Sequence, residues 1–291
     1  MSHKGWRNHY KASMPLPEAI AKDFKFLLKD GLHFMRNGFS LPTIVAFPTF
    51  PSKKTTLYKV ADQLHFRLTN RLIEHPRLVI YFEDLTHGSS AEVRKKYPHS
   101  RILNEACIDI SKEKVNDVHE RIFGYHTFIN PLTYQGKAVQ KSDTNALHDG
   151  QIIHCPIPAR VEGSVYQVLI NNNVNDQLVV DFRVPVVGDT IPLVYKKFKT
   201  SAQRFTNEVQ YAELHAVNDY FSVEEQQTLI AFAKAMGADY CELDVLRNSD
   251  DGKIYAIDVN KTPYGPPANL PLAEKKKAVV ALTTAFQQAF L

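Results

Sequence analysis

Apolar positions recur at helical spacing through the first part of the chain. Pro15 and Pro17 precede Ile20, Phe24, Leu27, Leu28, Phe34 and Met35, which predicts a helix. Leu57, Val60, Ala61, Leu64, Leu68 and Leu72 share one stripe and predict a second helix over about 57–73. Leu78 to Phe82 is a continuous apolar run closed by Glu83 and Asp84, the pattern of a buried strand. Ser111 is positioned to cap a helix carrying Val115, Val118 and Ile122, with Gly124 as its stop. To this point the order is helix, strand, helix, an α/β pattern.

Beyond Gly124 the period changes from helical to alternating. Strands are predicted over 137–142, 151–154, 165–170, 177–187 and 191–198. One helix interrupts them: Ser222 and Glu225 form a capping box, Leu229, Ile230, Phe232, Ala233 and Met236 the stripe, and Gly237 the end. Strands over 240–248 and 253–260 follow, then a terminal helix over 272–290. Strands, a helix and more strands predict an α+β fold with antiparallel pairing.

Two hairpins bring chemistry with them. Asn248-Ser-Asp-Asp-Gly252-Lys253 is a turn sequence, with Asp250, Asp251 and Gly252 as a three-residue loop and Ser249 closing against Lys253. In that register Asp244 faces Asp258 and Glu242 faces Asn260, all on one side of the sheet. Cys241, Leu243, Val245, Tyr255, Ile257 and Val259 then form the core side. Opposed carboxylates repel. A divalent cation between them reverses the sign, and hard oxygen donors from two Asp and an Asn suit Mg²⁺. A solvated polar face of an edge hairpin is the competing interpretation. The second hairpin turns at Gly188-Asp189, closed by Val187 and Thr190. It puts Val180, Phe182, Val184 and Val186 on an apolar face. Asp181 and Arg183 take the other face, with Asp181 meeting Lys196. Arg183 can fork onto phosphate oxygens, whereas a surface ion pair is the simpler alternative.

The chain has 291 residues, 44% hydrophobic and 23% charged, an ordinary globular composition. Lys and Arg outnumber Asp and Glu by 35 to 31, and a net charge of +4 is too small to argue for nucleic acid. No apolar run approaches the ~20 residues of a membrane span. The longest, Leu41 to Phe50, is broken by Pro42 and Pro48. The polar, basic start has no apolar stretch behind it, so no signal peptide is expected. Cys107, Cys155 and Cys241 are odd in number and far apart, which suggests reduced thiols and a cytoplasmic location. His148 and His154-Cys155 fit no common zinc spacing. Trp6 and Tyr10 lie in a basic arm and suggest no function. Lys275-Lys276-Lys277 precedes an apolar helix and is expected to be solvated, with a homodimer or membrane-surface contact as alternatives.

The stretch Gly237 to Pro263, with Asp244, Asp258 and Asn260, resembles the metal-binding end of ATP-grasp enzymes, among them D-alanine–D-alanine ligase and the glutamate ligases that modify ribosomal protein. Upstream, Lys141 resembles the strand lysine on the ATP phosphates. Tyr166 to Ile170 resembles the adenine hinge with Gln167 in its usual position, and Asp181-Phe-Arg183-Val the strand with a phosphate-facing Arg. Lys112 matches the first nucleotide lysine. For the remaining lysine the resemblance favours Lys197, whereas the hairpin register favours Lys196. The match spans roughly 110–265 and its motifs keep the family order. Three departures stand out: Asp258 replaces the usual Glu, Ser142 to Gly150 is not glycine-rich, and Glu242 occupies the place of an Arg that holds the acyl group in D-alanine–D-alanine ligases. Asn145 is a candidate substitute for the missing loop glycines.

The resemblance implies an ATP-grasp architecture: an N-terminal extension and α/β unit over 1–110, a first lobe over 111–170 and a second over 171–291. It also implies ATP and Mg²⁺ as cofactors, a bacterial setting, and carboxylate–amine ligation with release of ADP through an acyl phosphate. The partners are a small-molecule or peptide carboxylate and an amine. Asp244, Asp258 and Asn260 would hold the metal. Lys112, Lys141, Gln167 and a lysine at 196 or 197 would hold the nucleotide, with Arg183 and Glu242 catalytic, the latter as base for the amine. Asn260 to Pro267 would rim the acceptor site, with Tyr264 placed to stack on a substrate. Phosphotransfer on the same scaffold and non-catalytic nucleotide binding stay open as alternatives.

Overall fold

The structure, a computed structural model, describes residues 41–144, 147 and 149–291, together with scattered positions between 15 and 35. Trp6, Tyr10, Leu27, Phe34, Asn145 and His148 lie outside the described residues. The described positions from 16 to 35 are helical, and Ile20, Phe24, Leu28 and Met35 are exposed.

The first sheet is parallel. Strands β1 (Thr43–Pro48), β2 (Arg67–Thr69), β3 (Leu78–Phe82) and β4 (Ile102–Leu103) pair in the order β2-β1-β3-β4, with α1 (Thr56–Leu64) and α2 (Ala91–Lys96) in the connections. Both faces are covered: Ile44, Ala46 and Ile80 enter one core, and Val45, Val79 and Tyr81 enter another. That two-sided burial explains the unbroken apolar runs of β1 and β3. Pro48 is tolerated because it ends its strand. The second helix is shorter than its stripe predicts. His65 turns left-handed at φ 60° and its N–H bonds back to the Asp62 carbonyl, so the helix stops at Leu64. Leu68, at helical spacing from Leu64, instead pairs with Ile44 as part of β2.

Helix α3 (Lys112–Phe123) begins and ends as its caps predict. Ser111 Oγ accepts the Lys114 N–H, and Gly124 takes φ 79°. Strands β5 (Gly136–Ser142), β6 (Gln151–Cys155) and β7 (Ser164–Val168) make an antiparallel sheet of order β6-β5-β7. The remaining strands are β8 (Leu178–Val187), β9 (Val194–Thr200), β10 (Tyr211–His215), β11 (Tyr240–Arg247) and β12 (Ile254–Asn260). They form an antiparallel sheet of order β10-β9-β8-β11-β12. β10 has no counterpart in the sequence reading. It docks on the edge of β9, where Tyr211 stacks on Phe198 with ring centres 4.2 Å apart.

Helix α4 (Val223–Ala235) carries the Ser222–Glu225 capping box, with both reciprocal bonds in place. Helices α3 and α4 cover one face of the large sheet: Val115, Val118, Leu229 and Phe232 pack with Val184, Leu243, Val245 and Val259. Each such side chain, taken out of water, stabilises the fold by about 1.5–3 kcal/mol. Helix α5 (Leu272–Phe290) packs Ala278, Leu282 and Phe286 against Leu57 and Val60 of α1 and against Tyr195 and Tyr240 of the large sheet, tying the parallel sheet to it. Lys276 and Lys277 are exposed and Lys275 Nζ donates to the Ala268 carbonyl, so this run is a solvated helix face. The cysteines are free thiols, all buried. No helix among the described residues is long and apolar enough to cross a membrane.

Candidate active site

The β11–β12 hairpin opposes Asp244 to Asp258 and Glu242 to Asn260. The route to that register differs from expectation. The loop is one residue longer: Asn248 N–H donates to the Lys253 carbonyl, enclosing residues 249–252, and the N–H of Gly252, at φ 75°, donates to the Asn248 carbonyl. Left alone, that slip would stagger the acids. A bulge between Asp244 and Val245 absorbs it, because Val245 faces Ala256 while Asp244 still faces Asp258. The surplus residue is Ile257. It therefore leaves the predicted core face and lines the cleft, while Ile254 and Ala256 enter the core instead. Tyr255, also displaced from that face, stacks on His119 at 5.7 Å.

Each acid meets cations from other elements. Lys112 Nζ, at the start of α3, is 2.7 Å from Asp258 Oδ1. Arg183 on β8 forks onto Asp244 at 3.1 and 3.2 Å, and Lys197 on β9 adds a contact of 3.1 Å. Burial pushes the Asp244 carboxyl up, but Arg183 and Lys197 outweigh it and hold it well below the usual carboxylate range. Lys141 on β5 faces the same cleft. Burial, with Lys112 beside it, pushes its ammonium down to about 8.

The structure brings Lys197, and not Lys196, to the cleft. β8 and β9 pair so that Asp181 faces Lys197 and Phe182 faces Lys196, one residue from the expected register. The hairpin does close with a bridge between Val187 and Thr190, but the chain through Ile191 to Leu193 leaves the ladder before β9 begins at Val194. Lys196 therefore points away from the cleft, 3.2 Å from Tyr220 Oη and over the Phe198 ring. Lys199, two residues beyond Lys197, shares its face and pairs with Asp181 at 2.7 Å. Strand alternation alone could have found Lys199.

These groups line a cavity between the three-stranded and five-stranded sheets. Val139, Val168, Leu169, Ile170, Leu246 and Ile257 give it an apolar end; Lys112, Lys141, Arg183, Lys197, Lys199 and Arg204 line it as well. Gln167 is buried beside the apolar end, and its Nε2 donates to Thr127 Oγ1 at 3.3 Å. Ser142, Thr144, Leu147, Asp149 and Gly150 lie on its rim. A second cavity shares Arg183, Lys197, Asp244 and Asp258 and extends past Asn260, Tyr264 and Asn269 to Asp84. Asp84 lies two residues past β3, at the carboxyl edge of the parallel sheet where ligands collect in such folds. Burial and then Asp258 raise its carboxyl. The sequence reading used Asp84 only as a strand stop.

Glu242 does not reach the cleft as a base for an incoming amine should. It lines neither cavity, is 1% exposed, and neither oxygen has a hydrogen-bond partner. Burial pushes its carboxyl up to about 7, against the pull of Arg183. His154 is exposed, and no group of three His, Cys, Asp or Glu is placed for a metal among the described residues. The donors that fit Mg²⁺ are therefore Asp244, Asp258 and Asn260, which supply hard oxygens from one face. Asn260 Oδ1 meanwhile accepts the Thr262 N–H at 2.9 Å.

No family profile and no curated protein matches this sequence. Solved structures do match. The ATP-grasp ligase PsnB, complexed with a phosphomimetic variant of a minimal precursor, Mg and ADP, is 12% identical; the alignment covers 86% of this chain and 99% of PsnB at a TM-score of 0.55. The D-alanine–D-alanine ligase of Bacillus anthracis complexed with ATP is also 12% identical, covering 86% of this chain and 96% of its own at a TM-score of 0.51. With an α/β unit followed by two antiparallel sheets around a charged cleft, the chain has the ATP-grasp fold.

Proposed function

We propose that the protein is an ATP-dependent, ADP-forming carboxylate–amine ligase. The observation that carries this reading is the opposition of Asp244 to Asp258 where two cavities meet, one apolar-ended and one open towards Asp84 and Tyr264. In this reading the adenine lies along Gln167 to Ile170, against Leu246 and Ile257. Lys112, Lys141, Arg183 and Lys197 take the phosphates. They outnumber the facing carboxylates, so the site carries the positive excess that a nucleotide triphosphate needs. Asp244, Asp258 and Asn260 hold Mg²⁺, which supplies charge neutralisation at the phosphate oxygens.

The chemistry follows from charge. A substrate carboxylate oxygen attacks the γ-phosphorus, ADP leaves, and an acyl phosphate forms. An amine then attacks the acyl carbon, phosphate leaves, and an amide results. Arg183 and Lys197 stand at the junction of the cavities, where they can offset the repulsion between carboxylate and phosphate and spread the charge of the transition state. Asp84, rather than Glu242, stands where an amine would enter and lose its proton. The PsnB structure, described with precursor, Mg and ADP, supports a Mg-nucleotide and a peptide-sized partner for this cleft.

The test uses hydroxylamine as a surrogate amine. The purified protein is incubated with Mg-ATP, hydroxylamine and a panel of amino acids and peptides. Ligation predicts ADP release together with a hydroxamate, each dependent on the carboxylate. ADP release with a stable phosphorylated product from one co-substrate would overturn ligation in favour of phosphotransfer.

A further inference from the structure

The cations on Asp244 occupy oxygens that a divalent ion would need. Arg183 Nε and Nη2 reach Oδ1 and Oδ2 at 3.1 and 3.2 Å. A tight charge-assisted fork closes to about 2.7–2.9 Å, so this grip is loose. A guanidinium remains charged at any working pH. On leaving Asp244 its donors need other anions, phosphate oxygens for some and a second carboxylate for the rest, or part of a buried charge is stranded.

Glu242 is that carboxylate. Arg183 faces Asp244 across the β8–β11 ladder, and Glu242, two residues earlier on the same face of β11, faces Pro185. Proline has no N–H to offer. Glu242 Oε2 lies 3.7 Å from Arg183 Nε, beyond hydrogen-bond range, and both Glu242 oxygens are buried without partners. A carboxylate in that condition is costly unless some state of the protein supplies its donors.

We propose that Glu242 is the second berth of Arg183: when a divalent cation takes Asp244, the guanidinium shifts from Asp244 onto Glu242, whose oxygens gain the donors they lack. The inference rests on the metal-site reading above. It makes Glu242 a positioning residue, one that lets Asp244 exchange a protein cation for a metal without leaving Arg183 unpaired.

The test is the binding of the Mn²⁺–ADP complex, followed by loss of its free electron paramagnetic resonance signal. E242Q removes the charge and keeps the shape. It should raise the dissociation constant roughly tenfold, the size of one lost charge-assisted hydrogen bond. In an R183Q background the same change should alter it less than twofold, because the residue that needs the berth is gone. An equal weakening in both backgrounds, or none in either, would overturn the proposal. Wild-type protein supplies an independent arm: the Arg183 Nε–H resonance should move on adding Mg²⁺–ADP and report a new, stronger acceptor. No movement would contradict the shift. If the wild type fails to bind Mn²⁺–ADP at all, the metal-site reading falls and this proposal with it, an outcome distinct from binding that is indifferent to Glu242.

Discussion

Lys112 Nζ lies 2.7 Å from Asp258 Oδ1, closing a gap of 146 residues in sequence. The pair joins the first turn of α3 to the strand that carries one of the two opposed acids. It keeps Asp258 provided with a cation before any nucleotide arrives. Lys112→Met should therefore act in two ways. Stability should fall by about 1–2 kcal/mol, read by urea denaturation, since a largely buried ammonium and its charge-assisted bond to Asp258 are lost. ADP release should fall by about tenfold to a hundredfold, because a cation of the proposed phosphate site is lost as well.

The adjacent lysines 196 and 197 of β9 separate cleanly. Lys197 touches Asp244, whereas Lys196 lies over Phe198 and Tyr220 on the opposite face. Lys197→Met should cut ADP release by about a hundredfold or more. Lys196→Met should leave turnover within about twofold and cost roughly 0.5–1 kcal/mol of stability through the lost cation–π contact. Comparable losses for both would contradict the observed register.

His119 sets an acid limit on stability. Its ring is fully buried, stacked on Phe123 at 4.1 Å, and neither nitrogen has a partner. Burial pushes its pKa down to about 4. Above the unfolded value of about 6.5 both states are neutral and the full stability is present. As pH falls from there towards 4, the unfolded chain binds a proton that the folded chain refuses, so stability declines, and below 4 this contribution levels off. The loss is on the order of 3 kcal/mol. In His119→Phe, urea unfolding between pH 7 and 4 should show a shallower decline than in the wild type.

Gly237 tests the backbone requirement at the end of α4. It holds φ at 76°, and a Cβ there would sit 2.5 Å from the Ala106 carbonyl carbon. Gly237→Ala should cost about 3 kcal/mol or more, combining left-handed strain with a clash against main chain that cannot rotate away. Gly252→Ala, with a similar φ but open space around it, should cost about 1 kcal/mol, checked by thermal melting of both variants.

The contrast between Asp244 and Lys197 explains how much of the site could be read before the fold was seen. Asp244 and Asp258 belong to one short hairpin, where alternation and turn chemistry fix the face. The longer turn closed at Asn248 shifted the ladder by one residue, and the bulge that corrected it left the acids opposed but moved Ile257 into the cleft. No turn signal marks such a bulge. Lys197 depends on where β9 begins after an irregular stretch, and a one-residue error there turns the side chain to the other face. The approach of Lys112 and Asp84 to Asp258 is set by the packing of separate elements, which local pattern does not encode. The early end of α1 was equally hidden, because His65 adopts a left-handed conformation without a glycine to announce it.

The opposed acids of β11 and β12 are proposed to hold a nucleotide-bound divalent cation. This is tested most directly by titrating Mn²⁺–ADP into wild-type protein and into Asp258→Asn, with folding of the variant verified by circular dichroism. Saturable binding by the wild type is expected, with a loss of at least about a hundredfold in the variant. Equal affinity of the two folded proteins for Mn²⁺–ADP would contradict it.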